Sequence, residues 1–213
     1  MKRLETSDLW TKIDDYLADS LIANDDALDF ALKASEAAGL PAINVTPNQG
    51  KLLMLLARAM GARRILEIGT LGGYSTIWLA RGLGPVGRLI TIEANPDYAA
   101  VARTNIARAG LGRQVEVRVG RGQDVLPNLA AEGPFDLVFI DADKPGTPGY
   151  FQWAVKLSRR GSLIIVDNVV REGEILDADG DANAQGMRRF FELAALDPRV
   201  SGTALQTVGA KGP

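Results

Sequence analysis

From Arg63 onward the chain alternates short apolar runs with longer segments patterned for helices. Runs at 65–68, 89–92, 115–119, 135–140 and 163–166 read as strands. Helices are expected over 74–83, from the Asn95-Pro96 cap to Gly110, and over 124–131, 150–157 and 188–195, with a last strand over 203–208. Such alternation folds into an α/β architecture: a mostly parallel central sheet with helices on both faces.

The first 61 residues have a different texture. Leu9, Ile13, Leu17 and Leu21 recur every four residues, the mark of an amphipathic helix. Asn24-Asp25-Asp26 can cap a second helix, closed by Gly39 and Pro41. Thr46 and Gln49 form a capping box with Pro47 at the first helical position, and that third helix ends at Gly61. The expectation is one domain over 1–213, with a helical part at 1–61 and an α/β core at 62–213. The apolar faces of the extra N-terminal helices can either cover the sheet or supply an interface to a second copy.

Composition excludes several chemistries. The chain has no cysteine and no histidine, so thiol nucleophiles, thiolate or imidazole metal ligands and the commonest general base are absent. Any metal must sit among oxygens, which favours Mg²⁺, Ca²⁺ or Mn²⁺. A net charge of −2 without a basic block argues against nucleic acid or an acidic membrane as partner. No apolar run approaches the ~20 residues of a membrane span, and no signal-peptide core follows Met1, so a cytoplasmic protein is expected.

Ligands of open α/β sheets bind outside the carboxyl ends of the strands. Two of those ends carry clustered polar groups. Phe135-Asp136-Leu137-Val138-Phe139-Ile140 runs into Asp141-Ala142-Asp143-Lys144, and Leu163-Ile164-Ile165-Val166 runs into Asp167-Asn168. Asp141, Asp167 and Asn168 offer two carboxylates and an amide carbonyl, enough for a cation that keeps sites open for the vicinal hydroxyls of a catechol. Lys144 could then take a hydroxyl proton. The competing reading is a charged turn with a surface ion pair worth ~0–1 kcal/mol. Asp143 would reach a cofactor or orient Lys144.

The first strand ends in Glu67-Ile68-Gly69-Thr70-Leu71-Gly72-Gly73-Tyr74-Ser75, a glycine turn opening a helix, which favours a carboxylate or phosphate. Leu71 stands where a dinucleotide fingerprint needs glycine. Glu93, ending the second strand, can accept from both hydroxyls of a ribose, or it is a solvated strand end. Arg121, Gln123 and Asp124 could read an adenine edge or simply solvate a loop.

The segments at 66–75, 140–144 and 166–168, in that order, resemble the cation-dependent O-methyltransferases, which include caffeoyl-CoA and catechol O-methyltransferases and bacterial relatives. The likeness runs from about Thr46 to the C-terminus. It implies a Rossmann-like methyltransferase fold, S-adenosylmethionine as methyl donor and a divalent cation, Mg²⁺ first. By position, it implies Asp141, Asp167 and Asn168 as metal ligands and Lys144 as base. Val45, Glu67, Gly69, Thr70, Ser75, Glu93, Gly122 and Asp143 would hold the donor, with Gly122 at the adenine and Val45 contacting through its backbone. A small aromatic hydroxyl compound is the implied acceptor and a homodimer the implied assembly. The other classes that these residues admit are a nucleotide-dependent oxidoreductase and a non-catalytic S-adenosylmethionine-binding protein.

The chain departs from the family pattern at three points. The segment 145–150 is proline- and glycine-rich and free of charge where relatives are often polar, although it ends in the usual tyrosine. Glu172 replaces an asparagine that contacts substrate in plant relatives, which points away from a caffeoyl-CoA-like acceptor. The family sheet usually closes with an antiparallel hairpin, whereas this sequence ends at Pro213 inside that turn, so the strand at 203–208 is expected to lack its partner or to be completed otherwise. Acceptor specificity is expected to reside in 171–181, although most of the charges there read as those of a mobile surface loop.

Overall fold

A computed structural model describes residues 6–207. Five strands, β1 (Arg64–Ile68), β2 (Arg88–Glu93), β3 (Val115–Val119), β4 (Phe135–Ile140) and β5 (Ser158–Val166), form one sheet in the order β3-β2-β1-β4-β5. Every neighbouring pair is parallel. The helices are α1 (Thr6–Leu21), α2 (Asp26–Ala37), α3 (Pro47–Ala59), α4 (Tyr74–Gly82), α5 (Pro96–Arg108), α6 (Gly122–Val125), α7 (Thr147–Leu157) and α8 (Ala182–Leu196).

Strand alternation divides the core. Ile65, Leu89, Leu137 and Phe139 face a cluster with residues of α2, α3, α4 and α5. Leu66, Ile68, Ile90, Ile92, Val138 and Ile140 face the opposite cluster, which α7 covers with Tyr150, Ala154 and Leu157. Both faces are therefore dry, and β4 is buried along its whole length.

The local signals of the N-terminal part appear as expected. Asp25 caps α2, accepting from Ala27 and Leu28 N–H. Thr46 and Gln49 complete a reciprocal capping box on α3, an arrangement whose loss typically costs ~1 kcal/mol. The two outcomes open for the N-terminal helices are divided between them. Helices α2 and α3 contribute Leu28, Ala31, Leu53, Met54 and Ala57 to the core. Helix α1 leans on α3, where Asn48 donates to the carbonyl and carboxylate of Asp14, and leaves Leu9, Ile13 and Leu17 at least 40% exposed.

The strand expected over 203–208 is not formed at 203–207, which is exposed and unpaired with the sheet; Val208 lies outside the described residues. Leu205 is the one large apolar side chain in that described segment and it is 78% exposed. A strand with so little to bury has no driving force to add itself to the β5 edge. The helix expected over 124–131 is instead the short α6 followed by a 3-10 turn over Leu126–Leu129; the remaining differences are of extent: β5 begins at Ser158 rather than 163, α7 at Thr147 rather than 150, and α8 at Ala182 rather than 188.

Candidate active site

Register fixes which residues meet. Ile68 pairs with Ile92 and with Ile140, and Ile140 pairs with Val166. The residues that follow them, Gly69, Glu93, Asp141 and Asp167, therefore stand in one row at the carboxyl edge of the sheet. Backbone bonds carry the row past the strands: Gly69 N–H to Ile92 O (3.0 Å), Asp141 N–H to Ile68 O (2.9 Å), Asp167 N–H to Ile140 O (3.0 Å) and Gly120 N–H to Glu93 O (2.9 Å). Gly69 has φ +99°, and a Cβ there would run into the main-chain oxygen of Asp141. The close approach of the first and fourth strand ends thus requires glycine.

A cavity of about 1010 Å³ opens over this row. Of the residues singled out in the sequence, Val45, Gly69, Thr70, Ser75, Glu93, Gly122, Asp141, Asp143, Lys144 and Asn168 line it. Glu67 and Asp167 do not.

Lys144 ties the two polar strand ends together. Its Nζ lies 3.3 Å from Asp141 Oδ1, 3.2 Å from the main-chain oxygen of Asp167 and 3.3 Å from Asn168 Oδ1. Lys144 is 8% exposed, so this is no surface ion pair. Three oxygens from β4 and β5 converge on one positive charge, and a set made only of oxygens suits a hard divalent cation. Asn168 adopts φ +55°, a conformation asparagine tolerates. Its backbone N–H donates to Asp167 Oδ1 at 2.8 Å. Among the described residues no three Asp, Glu, His or Cys side chains gather as a metal-binding group; the oxygens that meet Lys144 are one carboxylate, one main-chain carbonyl and one amide, while the Asp167 carboxylate meets Gln49 Nε2 and the Asn168 N–H.

Gln49 is a member of the site that sequence reasoning missed. Its Oε1 completes the capping box by accepting the N–H of Thr46, while its Nε2 lies 3.3 and 3.5 Å from the two oxygens of Asp167. One amide thus joins the start of α3 to the end of β5, 118 residues away. Tyr150 is a second. Its hydroxyl donates to Asp143 Oδ1 at 2.6 Å and the N–H of Gly146 donates to Oδ2 at 2.9 Å, which together fix the Asp143 carboxylate at the cavity wall. Burial, then the Asp143 bond, push the Tyr150 phenol above its ordinary range.

On the other side, the glycine turn is held from below. Glu93 accepts the N–H groups of Thr70 (3.2 Å), Leu71 (2.8 Å) and Asn95 (2.9 Å). A carboxylate has about four acceptor sites, so a ribose meeting Glu93 here finds most of them engaged. Leu71 holds φ +50°, so the place where a dinucleotide motif would use glycine keeps glycine-like geometry with a leucine. Asn105 on α5 donates to Gly72 O at 2.8 Å. Arg121 and Gln123 line the cavity beside Gly122, while Asp124 does not.

Glu67 lies under the cavity, fully buried on the α4 face of β1. It accepts from the hydroxyls of Ser75 (2.6 Å) and Thr76 (2.5 Å). Burial pushes its carboxyl up from 4.5 to about 7, against the hydroxyls of Ser75, Thr76 and Thr91, which favour the anion. A carboxyl raised in this way holds its proton more tightly folded than unfolded. Stability therefore falls as pH rises from 4.5 to about 7 and is level above that. The shift corresponds to roughly 3 kcal/mol. The melting-temperature difference between Glu67→Gln and the parent should move in favour of glutamine across that window, read by thermal denaturation at several pH values. A difference independent of pH would contradict the raised carboxyl.

A model of the O-methyltransferase family matches residues 23–210. The catechol O-methyltransferase of Mycobacterium tuberculosis is 56% identical over 200 residues, covering 94% of this chain and 90% of that protein. The catechol O-methyltransferase of Niastella koreensis is 52% identical over 206 residues, covering 95% and 93%. Among solved structures, the O-methyltransferase from Bacillus cereus in complex with SAH has a TM-score of 0.95 at 56% identity, covering 97% of this chain and 96% of that one. Among the described residues no helix is long and apolar enough to cross a membrane.

Proposed function

The chain belongs to the O-methyltransferase family, and on that premise we propose that it moves a methyl group from S-adenosylmethionine to one hydroxyl of a catechol-like acceptor. We propose further that a divalent cation, Mg²⁺ before Ca²⁺ or Mn²⁺, is held by Asp141, Asp167 and Asn168. The observation that carries this reading is the convergence of the Asp141 carboxylate, the Asn168 amide oxygen and the Asp167 main-chain oxygen on the buried Lys144 Nζ, with the Asp167 carboxylate held beside them by the Asn168 N–H and Gln49. The names of the two curated relatives support the acceptor class, and the SAH bound by the Bacillus cereus enzyme supports the donor.

A cation held by Asp141, Asp167 and Asn168 would supply the acidification of an acceptor hydroxyl. The residues of the chain supply the rest. Lys144, within reach of the same oxygens, would accept the hydroxyl proton as the neutral amine, the cation having taken the place of its own ammonium charge among them. The acceptor oxygen then forms a bond to the methyl carbon as the carbon–sulfur bond breaks, and the sulfonium leaves as a neutral thioether. Asp143, fixed by Tyr150 and Gly146, and Glu93, fixed by the turn at Thr70 and Leu71, hold the donor between the two strand ends. Positioning of two reactants in this way can contribute ~7–11 kcal/mol to lowering the barrier. An oxidoreductase reading gives no role to Asp167 and Asn168.

The test is incubation with labelled S-adenosylmethionine, Mg²⁺ and a panel of catechols, with and without EDTA. Label should pass to the catechols, stop with EDTA and return with excess Mg²⁺. Transfer that ignores EDTA removes the metal from the mechanism, and absence of transfer to every catechol removes the acceptor class.

A further inference from the structure

Three residues beyond Asn168, the chain enters a short 3-10 segment, Arg171–Leu176. Arg171, Glu172 and Gly173 hold φ of +53°, +52° and +91° in succession. Left-handed backbone at two non-glycine residues in a row is unfavourable, and it persists where the surroundings define it. Six charged residues lie between 171 and 181, and of these Arg171 alone lines the cavity. Glu172, Glu174, Asp177, Asp179 and Asp181 do not reach it. The expected specificity segment therefore presents to the cavity a single charge, and that charge is positive.

One nitrogen of the guanidinium is poorly satisfied where it stands. Its Nε is buried and has no hydrogen-bond partner. The carboxylate of Glu174 lies 3.3 Å from Nε without the alignment of a hydrogen bond, and is itself half exposed. Guanidinium offers five N–H donors in a planar fork that matches a carboxylate. Lys33 and Arg121 also line the cavity, from α2 and from the loop after β3, but Arg171 shares its loop with Asn168.

We propose that Arg171 receives an anionic substituent on the acceptor ring, so that the preferred acceptors are catechols carrying a carboxylate. The inference rests on the catechol reading above. With the vicinal hydroxyls directed at Asp141 and Lys144, a carboxylate elsewhere on the ring meets the guanidinium. Its charge-assisted bonds replace the loose Glu174 contact and satisfy the buried Nε. A cationic catechol gains nothing from this wall, and a neutral one leaves Nε as it is.

The experiment compares kcat/KM for 3,4-dihydroxybenzoate, 4-methylcatechol and 3,4-dihydroxybenzylamine in the parent, Arg171→Gln and Arg171→Lys, alongside calorimetric S-adenosylmethionine affinity. The parent should prefer the benzoate. Arg171→Gln should lower the benzoate-to-methylcatechol ratio by about tenfold or more, as expected for a charge-assisted pair, and Arg171→Lys should restore part of it. A parent that methylates all three equally well overturns the proposal, as does a ratio that Arg171→Gln leaves unchanged, which would make the arginine a loop brace. Loss of donor affinity matching the loss of turnover also overturns it, by assigning the guanidinium to the donor's own carboxylate. If no catechol of any charge is methylated, the failure belongs to the proposed function and not to Arg171.

Discussion

Lys144→Ala is expected to lower kcat for catechol methylation by about 10²–10⁴-fold, the usual contribution of a positioned general base, while S-adenosylmethionine binds nearly as before. The separation follows from where the ammonium lies. Nζ meets Asp141, Asp167 and Asn168 and meets none of the groups that hold the glycine turn. The substitution also removes a positive charge from the oxygen set proposed for the cation. Mn²⁺ affinity, followed by electron paramagnetic resonance, should hold or rise even as turnover collapses. Rate, donor affinity by calorimetry and Mn²⁺ affinity form one test. Equal losses of donor binding and of rate would contradict the assignment of Lys144 as base. A fall in Mn²⁺ affinity would mean that the lysine supports the ligand set rather than sharing it.

What could be read in the sequence was local or followed from sheet geometry. The caps at Asp25 and Thr46 lie within three residues of the groups they satisfy, so chain order exposes them. Asp141 and Asp167 could be grouped because parallel strands end at one edge, although nothing in the sequence measures the register that sets them side by side. Glu67, expected among the donor-binding residues, lies beneath the cavity on the face it shares with Ile65, where it accepts from Ser75 of the cavity lining. The Gln49–Asp167 contact was beyond reach for a different reason. A glutamine that completes a capping box already has a sufficient local explanation, and its second bond spans 118 residues. The strand expected at 203–208 is not formed at 203–207, where Leu205 is the one large apolar side chain with anything to bury.

The second large effect is expected from Asp141. Asp141→Ala should reduce cation-dependent turnover by about 10³-fold or more, since a Lewis acid contributes several kcal/mol and each 1.36 kcal/mol is a factor of ten. The backbone at this position is held independently of the carboxylate. Its N–H donates to Ile68 O at 2.9 Å and its carbonyl packs against Gly69, so the strand end should keep its place. The side chain, by contrast, is the one carboxylate within 3.3 Å of the buried Lys144 Nζ among the described ion pairs. Alanine therefore removes a charge partner together with the proposed ligand, and a lower melting temperature alone would be ambiguous. Asp141→Asn separates the two effects. It retains the oxygen beside Lys144 and the side-chain volume, but not the negative charge that a divalent cation requires. If the carboxylate acts as a ligand, both variants lose Mn²⁺ binding and turnover, with the asparagine variant close to the parent in melting temperature. If its main task is to balance Lys144, asparagine retains Mn²⁺ binding and EDTA-sensitive activity, and the metal assignment would have to shift to Asp167 and Asn168.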